Sequence, residues 1–207
     1  MSRLLPRTIT KRALQEEDLL ATLEKVYPEA PMTTALTPTF IAFGGNLGDP
    51  VVTLRRVLPM LNECVGGIVK LSSLYETKAL TLNGEVHPNY VNAVIEVWSW
   101  QSPENALKEL LRIERELGRE RSPDKRWEPR TIDLDLLFVG DAVIETPPLT
   151  IPHPEIARRD FVVAPLAEIA PDLVHPLLKK TMRELDSELT KSGAERFVLR
   201  TLPFEWR

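Results

Sequence analysis

Apolar residues along this chain recur with two periods, and the period separates helix from strand. Leu14, Leu19, Leu20, Leu23 and Val26 share one side of a predicted amphipathic helix over residues 10–27, which stops at Pro28. A Pro/Thr-rich linker reaches Pro38, and TFIAFGGNLGDP then reads as a strand closed by a Gly-rich turn. Asp49 and Pro50 offer an N-cap and first-turn proline for a helix to about Glu63, with Pro59 predicting a kink or an early end. GIVKLSSLYET (67–77) and YVNAVIEVWSW (90–100), rich in β-branched and aromatic residues, predict two strands. The polar segment between them, KALTLNGEVHPN, is long for a hairpin turn and reads as a functional loop.

Ser102 and Pro103 open the clearest helix, Ala106, Leu107, Leu110, Leu111 and Leu117 form its stripe, and Gly118 ends it. A charged loop leads to the strand IDLDLLFV. The order β-α-β-β-α-β predicts an α+β fold with a ferredoxin-like core, an antiparallel sheet carrying two helices on one face. A Pro-rich stretch (146–154), DFVVAPLAEIAP, a helix near 179–190 and a last strand, ERFVLRTL, follow as C-terminal additions. This divides the chain into an N-terminal helical extension with its linker, 1–37, and one domain, 38–207.

Composition narrows the function. A chain of 207 residues, 43% hydrophobic, suits one domain with a sizeable core. The formal charge of -4 argues against general nucleic-acid or membrane-surface binding. Cys64 is the single cysteine, which excludes an intramolecular disulfide and suits a reducing compartment. No apolar run approaches the roughly 18 residues of a spanning helix. The first fifteen residues carry four basic and no acidic side chains, but acids follow at Glu16. Cytoplasm is the expected location, with organelle import the alternative.

The strand IDLDLLFV carries the chemistry. Asp133 and Asp135 point to one face while Ile132, Leu134 and Leu136 point to the other. Two carboxylates in an apolar strand are costly unless something neutralises them. A hard cation such as Mg²⁺ would do so, keeping water and substrate phosphate as its other ligands. A structural network with arginines would also do so, and D-x-D strands occur in sugar-nucleotide transferases as well. Arg112, Arg115, Arg119, Arg121, Lys125, Arg126 and Arg130 precede the pair, and Arg158 and Arg159 follow it. Arg112 and Arg115 fit a solvated helix face, whereas the loop arginines beyond Gly118 suit phosphate oxygens.

The chain resembles the 6-hydroxymethyl-7,8-dihydropterin pyrophosphokinase family. FIAFGGNLGD, LSSLYET, NYVNAVIEV, RIERELGRER, RWEPRTIDLDLLF and LTIPHPEIARRDFVVAPLAEIAPDLVHP carry the resemblance, in order, over roughly residues 39 to 176. It implies transfer of pyrophosphate from ATP to the pterin hydroxymethyl oxygen, with release of AMP. It implies that Asp133 and Asp135 hold two Mg²⁺ ions and that Arg119 and Arg130 assist transfer. Arg121, Arg126, His153 and Arg159 match ATP-contacting positions. Thr77, Leu80, Tyr90, Asn92, Trp127 and Phe161 match pterin-site positions, with Tyr90 and Asn92 on one strand face. Glu128 stands where a small residue is usual, and Gly45 where serine is common.

The expected partners are therefore two small molecules, ATP and the pterin, with no nucleic acid and no membrane, and a monomer is expected. The 37 N-terminal residues are too few for the second folate enzymes often fused to this family, so a single activity is expected. Two other readings stand beside this one. A degenerate homologue could bind pterin or nucleotide without turnover, a reading that Glu128 alone encourages. A ferredoxin-like RNA-binding module would need exposed strand aromatics on a basic sheet face. Trp98 and Trp100 share a face but adjoin Glu96.

Overall fold

In the computed structural model, residues 36–79, 87–119, 129–192, 197–202 and 204 are described. The predicted helix over 10–27, and the positions Leu80, Arg121, Arg126, Trp127 and Glu128, lie outside these residues.

The expected βαββαβ order is present: β1 (Thr37–Gly45), α1 (Pro50–Cys64), β2 (Gly66–Leu71), β3 (Leu74–Thr77), β4 (Tyr90–Ser99), α2 (Pro103–Glu116) and β5 (Asp133–Val139). The Asp49 carboxylate caps α1, accepting from Val51 N at 2.9 Å and Val52 N at 3.1 Å. Of the expected kink or early end, the early end is absent: α1 continues beyond Pro59 to Cys64, close to the expected Glu63. Pro59 lies on the exposed side, while Leu54, Val57, Leu58 and Leu61 hold the opposite side in the core. The Ser102 hydroxyl caps α2, and Gly118 follows it at φ +87°.

The strand expected over 67–77 divides into β2 and β3 at Ser72 and Ser73. Ser72 N donates to Val94 O at 3.0 Å, but its hydroxyl, rather than its carbonyl, accepts from Val94 N at 2.9 Å. That side-chain substitution interrupts the ladder, so β2 and β3 pair in turn along β4. The sheet order is β5-β1-β4-β3-β8, with every pairing antiparallel and the C-terminal strand β8 (Val198–Leu202) at the edge. A small hairpin, β6 (Ile144–Thr146) and β7 (Leu149–Ile151), follows β5.

Each sheet face has its own core. Ile41, Phe43, Ile95, Leu134 and Leu136 meet α1 and α2. Phe40, Val94, Leu137 and Phe138 meet two further helices, α3 (Asp160–Ile169) and α4 (Met182–Lys191). Leu137 and Phe138 both reach this second layer because the β1–β5 register slips beside Phe40 and Ile41. Glu168 of α3 fastens the layer to the sheet, accepting from Ser73 N, Ser73 Oγ and Tyr75 Oη at 2.9–3.0 Å. Among the described residues, no helix is long and apolar enough to cross a membrane.

His175, read from sequence as structural, packs edge-on against Phe138 at 5.6 Å, and its Nδ1 accepts from Leu177 N and Leu178 N at 3.3 Å. Burial pushes its pKa below the usual 6.5. Above that pH both folded and unfolded forms are neutral, and the site is indifferent to pH. Below it the unfolded chain takes a proton that the folded imidazole refuses, so stability falls until the lowered folded value is passed. His175→Asn keeps an acceptor near Nδ1 without the titration. The thermal-midpoint gap between parent and variant is expected to narrow as pH drops from about 7.5 to about 5.5, around the ordinary imidazole pKa. A constant gap would mean that His175 does not titrate this way.

Candidate active site

The alternation of β5 places Asp133 and Asp135 on the face that α3 and α4 only partly cover. Asp133 pairs with Gly44 of β1, which pairs in turn with Asn92 of β4 and, beyond it, Tyr75 of β3. Gly44 leaves the floor between aspartate and amide bare. A Cβ there would lie 3.0 Å from Asn92 Oδ1, 3.9 Å from Asp133 Cβ and 4.0 Å from Tyr90 Cδ1.

The two aspartates differ in their surroundings. Asp133 accepts from Arg119 through Oδ1 and from Arg130 Nη1 through Oδ2, the latter at 2.6 Å. It thus takes part in the arginine network that the sequence left open as one alternative. Asp135 accepts no hydrogen bond and makes no ion pair among the described residues. Burial, reinforced by the neighbouring Asp133 charge, pushes its pKa up to about 6, against the opposing pull of Arg159. A half-buried carboxylate without a partner among the described residues, beside a second carboxylate, is the donor set a hard divalent cation neutralises. No group of three or more His, Cys, Asp or Glu is arranged for a metal among the described residues. Two strand carboxylates fit an ion that takes its remaining ligands from water and phosphate, as Mg²⁺ does.

Arg119 follows α2 and is gripped from two sides, by Asp133 and by Glu114. Burial works against its charge, yet the two carboxylates outweigh that and raise its pKa. The same Glu114 oxygen accepts from Leu134 N at 2.8 Å, tying α2 to β5 next to the aspartates. Arg130 is held by its backbone. Its N donates to Asn46 Oδ1 at 2.8 Å, and its O accepts from Asn46 N and Leu47 N at 2.9 and 3.1 Å. Asn46 Nδ2 also reaches Pro88 O at 3.1 Å, so the Gly-rich turn joins the Arg130 segment to the approach of β4. At Gly45, any Cβ would stand 2.7 Å from Thr131 O, which explains why serine would be a poor fit to this backbone.

Tyr90 shares the face of Asn92 and hydrogen-bonds with Arg130, and burial raises its phenol pKa. Asn92 Nδ2 donates to Thr77 Oγ1 at 2.7 Å. Thr77 is buried, and its hydroxyl orients the amide. On the facing layer, His153 N donates to Leu137 O at 3.0 Å, which sets His153 beside β5. Burial and the nearby Arg159 lower its pKa. The Arg159 guanidinium lies 5.8 Å from the centre of the Phe161 ring at the start of α3. The structure thus gathers Arg119, Arg130, Asp133, Asp135, Tyr90, Asn92 and Thr77 into one connected patch, with Arg159 close to Asp135 and His153.

Known proteins share this arrangement's sequence. The family profile described as 7,8-dihydro-6-hydroxymethylpterin-pyrophosphokinase (HPPK) matches residues 40–171. The chain belongs to this family. A Haemophilus influenzae relative named 2-amino-4-hydroxy-6-hydroxymethyldihydropteridine pyrophosphokinase is 39% identical, covering 79% of this chain and 98% of that protein. A Synechocystis relative of the same name is 40% identical, covering 70% of this chain and 72% of its own length. Among solved structures, wild-type Plasmodium falciparum HPPK-DHPS with pteroate superposes with a TM-score of 0.61 at 16% identity, over 75% of this chain and 45% of that one. At that identity the superposition speaks for the fold alone.

The HPPK match spans every described residue of the patch and ends at residue 171, before α4 and β8. Glu114, Asn46 and Gly44 had not been singled out from the sequence. Glu114 had a legible signal, since it lies four residues after Leu110 and three before Leu117, on the apolar stripe of α2. Asn46 and Gly44 were hidden in a turn that reads only as Gly-rich.

Proposed function

We propose that this chain transfers the pyrophosphoryl group of ATP to the hydroxymethyl oxygen of 6-hydroxymethyl-7,8-dihydropterin, releasing AMP. The observation that carries the reading is the half-buried Asp135, without a hydrogen bond or ion pair among the described residues, beside Asp133, which lies one bare glycine away from Asn92. Mg²⁺, as two ions held by Asp133 and Asp135, would neutralise both carboxylates and draw charge from the phosphate oxygens. The pterin hydroxyl attacks the β-phosphorus and a new O–P bond forms. The bridging bond to the α-phosphate breaks with its electron pair on AMP, and the hydroxyl proton passes to solvent. Arg119 and Arg130 meet the charge that develops on the transferred group. Arg159 and His153, with Arg121 and Arg126, are assigned to ATP.

The pterin ring is assigned to Tyr90, Asn92 and Phe161, with Thr77, Leu80 and Trp127 around it. Asn92 commits its NH₂ to Thr77 and leaves Oδ1 directed over Gly44. The amide therefore presents an acceptor to the N–H edge of a pterin. Residues 38–207 form the catalytic unit in this reading, acting as a monomer on two small molecules. An RNA-binding module of the same topology needs a bare sheet face, whereas here both faces carry helices over much of their area.

Asn92→Ala is expected to raise KM for the pterin at least about tenfold, the scale of a lost buried hydrogen bond, with KM for ATP unchanged. Steady-state AMP formation with each substrate varied in turn checks it. Equal changes in both constants would place the pterin elsewhere.

A further inference from the structure

The C-terminal strand lies beyond the residues that the family profile matches, yet it touches the assigned pterin site from two directions. Phe197, just before β8, meets Phe161 edge to face, with ring centres 6.1 Å apart and planes at 87°. Its backbone is held on the same helix end, since Phe197 N and Val198 N both donate to Asp160 Oδ2, at 3.0 and 3.2 Å. Phe197 O accepts from Lys78 N at 2.9 Å, and Val198 pairs with Thr77, whose hydroxyl orients Asn92. Phe197 therefore bridges the helix end that presents Phe161 and the strand end that fixes Asn92.

The strand is itself anchored on both sides of the sheet edge. Arg200 Nε contacts Glu76 Oε2 at 2.5 Å, and the other Glu76 oxygen accepts from Asn89 Nδ2 at 2.8 Å, next to Tyr90. Phe204 lies under the Arg55 guanidinium of α1, 4.8 Å from the ring centre. Without β8 the four-residue β3 would be an edge strand, free to fray on the side away from β4. Phe161 is only half-buried, so its ring plane depends on the few groups that touch it.

We propose that β8 is a positioning element of the pterin subsite, in which Phe197 sets the plane of the Phe161 ring and the strand pairing fixes Thr77 and, through it, Asn92. This rests on the assignment of Phe161 and Asn92 to the pterin. It predicts a defect confined to one substrate, because Arg119, Arg130 and the aspartates are held by α2, β5 and the Gly-rich turn, none of which β8 pairs with.

The test uses the full chain, assayed well below the thermal midpoint of each variant. Phe197→Ala is expected to raise KM for the pterin about three- to tenfold, the range of a lost edge-to-face contact, while KM for ATP and kcat stay at parental values. Phe197→Tyr keeps the ring and is expected to restore the parental KM. Should Phe197→Ala fail to fold, Phe197→Leu keeps apolar volume without a ring edge and carries the same expectation. A parental pterin KM in the alanine or leucine variant, or a parallel rise for both substrates, overturns the proposal. Phe161→Ala separates the two layers of inference. If it raises pterin KM while the Phe197 variants do not, the role of β8 falls alone. If Phe161→Ala also leaves pterin KM unchanged, the assignment of Phe161 falls and takes this proposal with it.

Discussion

Asp135→Ala is expected to lower kcat by at least about a thousandfold, since the metal ligation it would supply is worth several kcal/mol of transition-state stabilisation, and to leave the thermal midpoint no lower than the parent's. The combination is unusual for a half-buried strand residue. It follows because Asp135 has no hydrogen bond or ion pair to lose among the described residues, and its charge is partly desolvated and stands beside that of Asp133. Removing a partly desolvated charge that a like charge opposes relieves the fold. Asp133→Ala should cost the same activity but also stability, because it leaves Arg119 and Arg130 without the carboxylate both now contact. Turnover and thermal midpoints of the two variants, measured side by side, separate the residues. Full activity of Asp135→Ala would end the metal assignment. A large fall in its midpoint would show that Asp135 is a structural partner instead.

Glu114→Ala is expected to destabilise the protein by about 3 kcal/mol, the usual scale for removing one side of a buried ion pair. For a domain of this size that is roughly 6–12 °C in thermal midpoint. Two losses combine. The Arg119 guanidinium forfeits one of its two carboxylates, and Leu134 N–H, on the strand between the aspartates, loses its acceptor. Glu114→Gln divides them, since an amide oxygen can still accept from Leu134 N but carries no charge for Arg119. The glutamine variant should recover much of the stability while keeping a kcat about tenfold below parent, from a less firmly placed Arg119. If alanine and glutamine behave alike in both respects, Glu114 acts only through packing.

The contrast between Glu114 and Asp135 shows what the sequence could disclose. Asp133 and Asp135 were legible because strand alternation is strict, and two carboxylates in IDLDLLFV break the apolar run wherever the strand is placed. The helix caps at Asp49 and Ser102 were legible for a similar local reason. Glu114 was not, because RIERELGRER alternates acids and bases as a solvated helix face does, and only the position on the stripe separated one glutamate from the rest.

Long-range geometry was the larger gap. DFVVAPLAEI carries apolar residues on nearly all sides and a proline within, so it shows no clear stripe or stop, yet it forms α3 because the sheet and α4 cover it from both sides. Pro59 suggested a kink or an early end, yet α1 runs on to Cys64, because the buried stripe opposite the proline holds the helix to the core. The break in the second strand depended on a serine hydroxyl replacing a carbonyl in the ladder, which no periodicity records. The resemblance implied which residues form the proposed site. It did not say that Asp133 would be clamped by two arginines while Asp135 has no partner among the described residues.

Pyrophosphoryl transfer is tested most directly by separating the nucleotides formed from ATP and Mg²⁺ with and without 6-hydroxymethyl-7,8-dihydropterin. The expected result is AMP that appears only with the pterin, equimolar with pyrophosphorylated pterin. ADP as the product, or no pterin-dependent nucleotide at all, would contradict it.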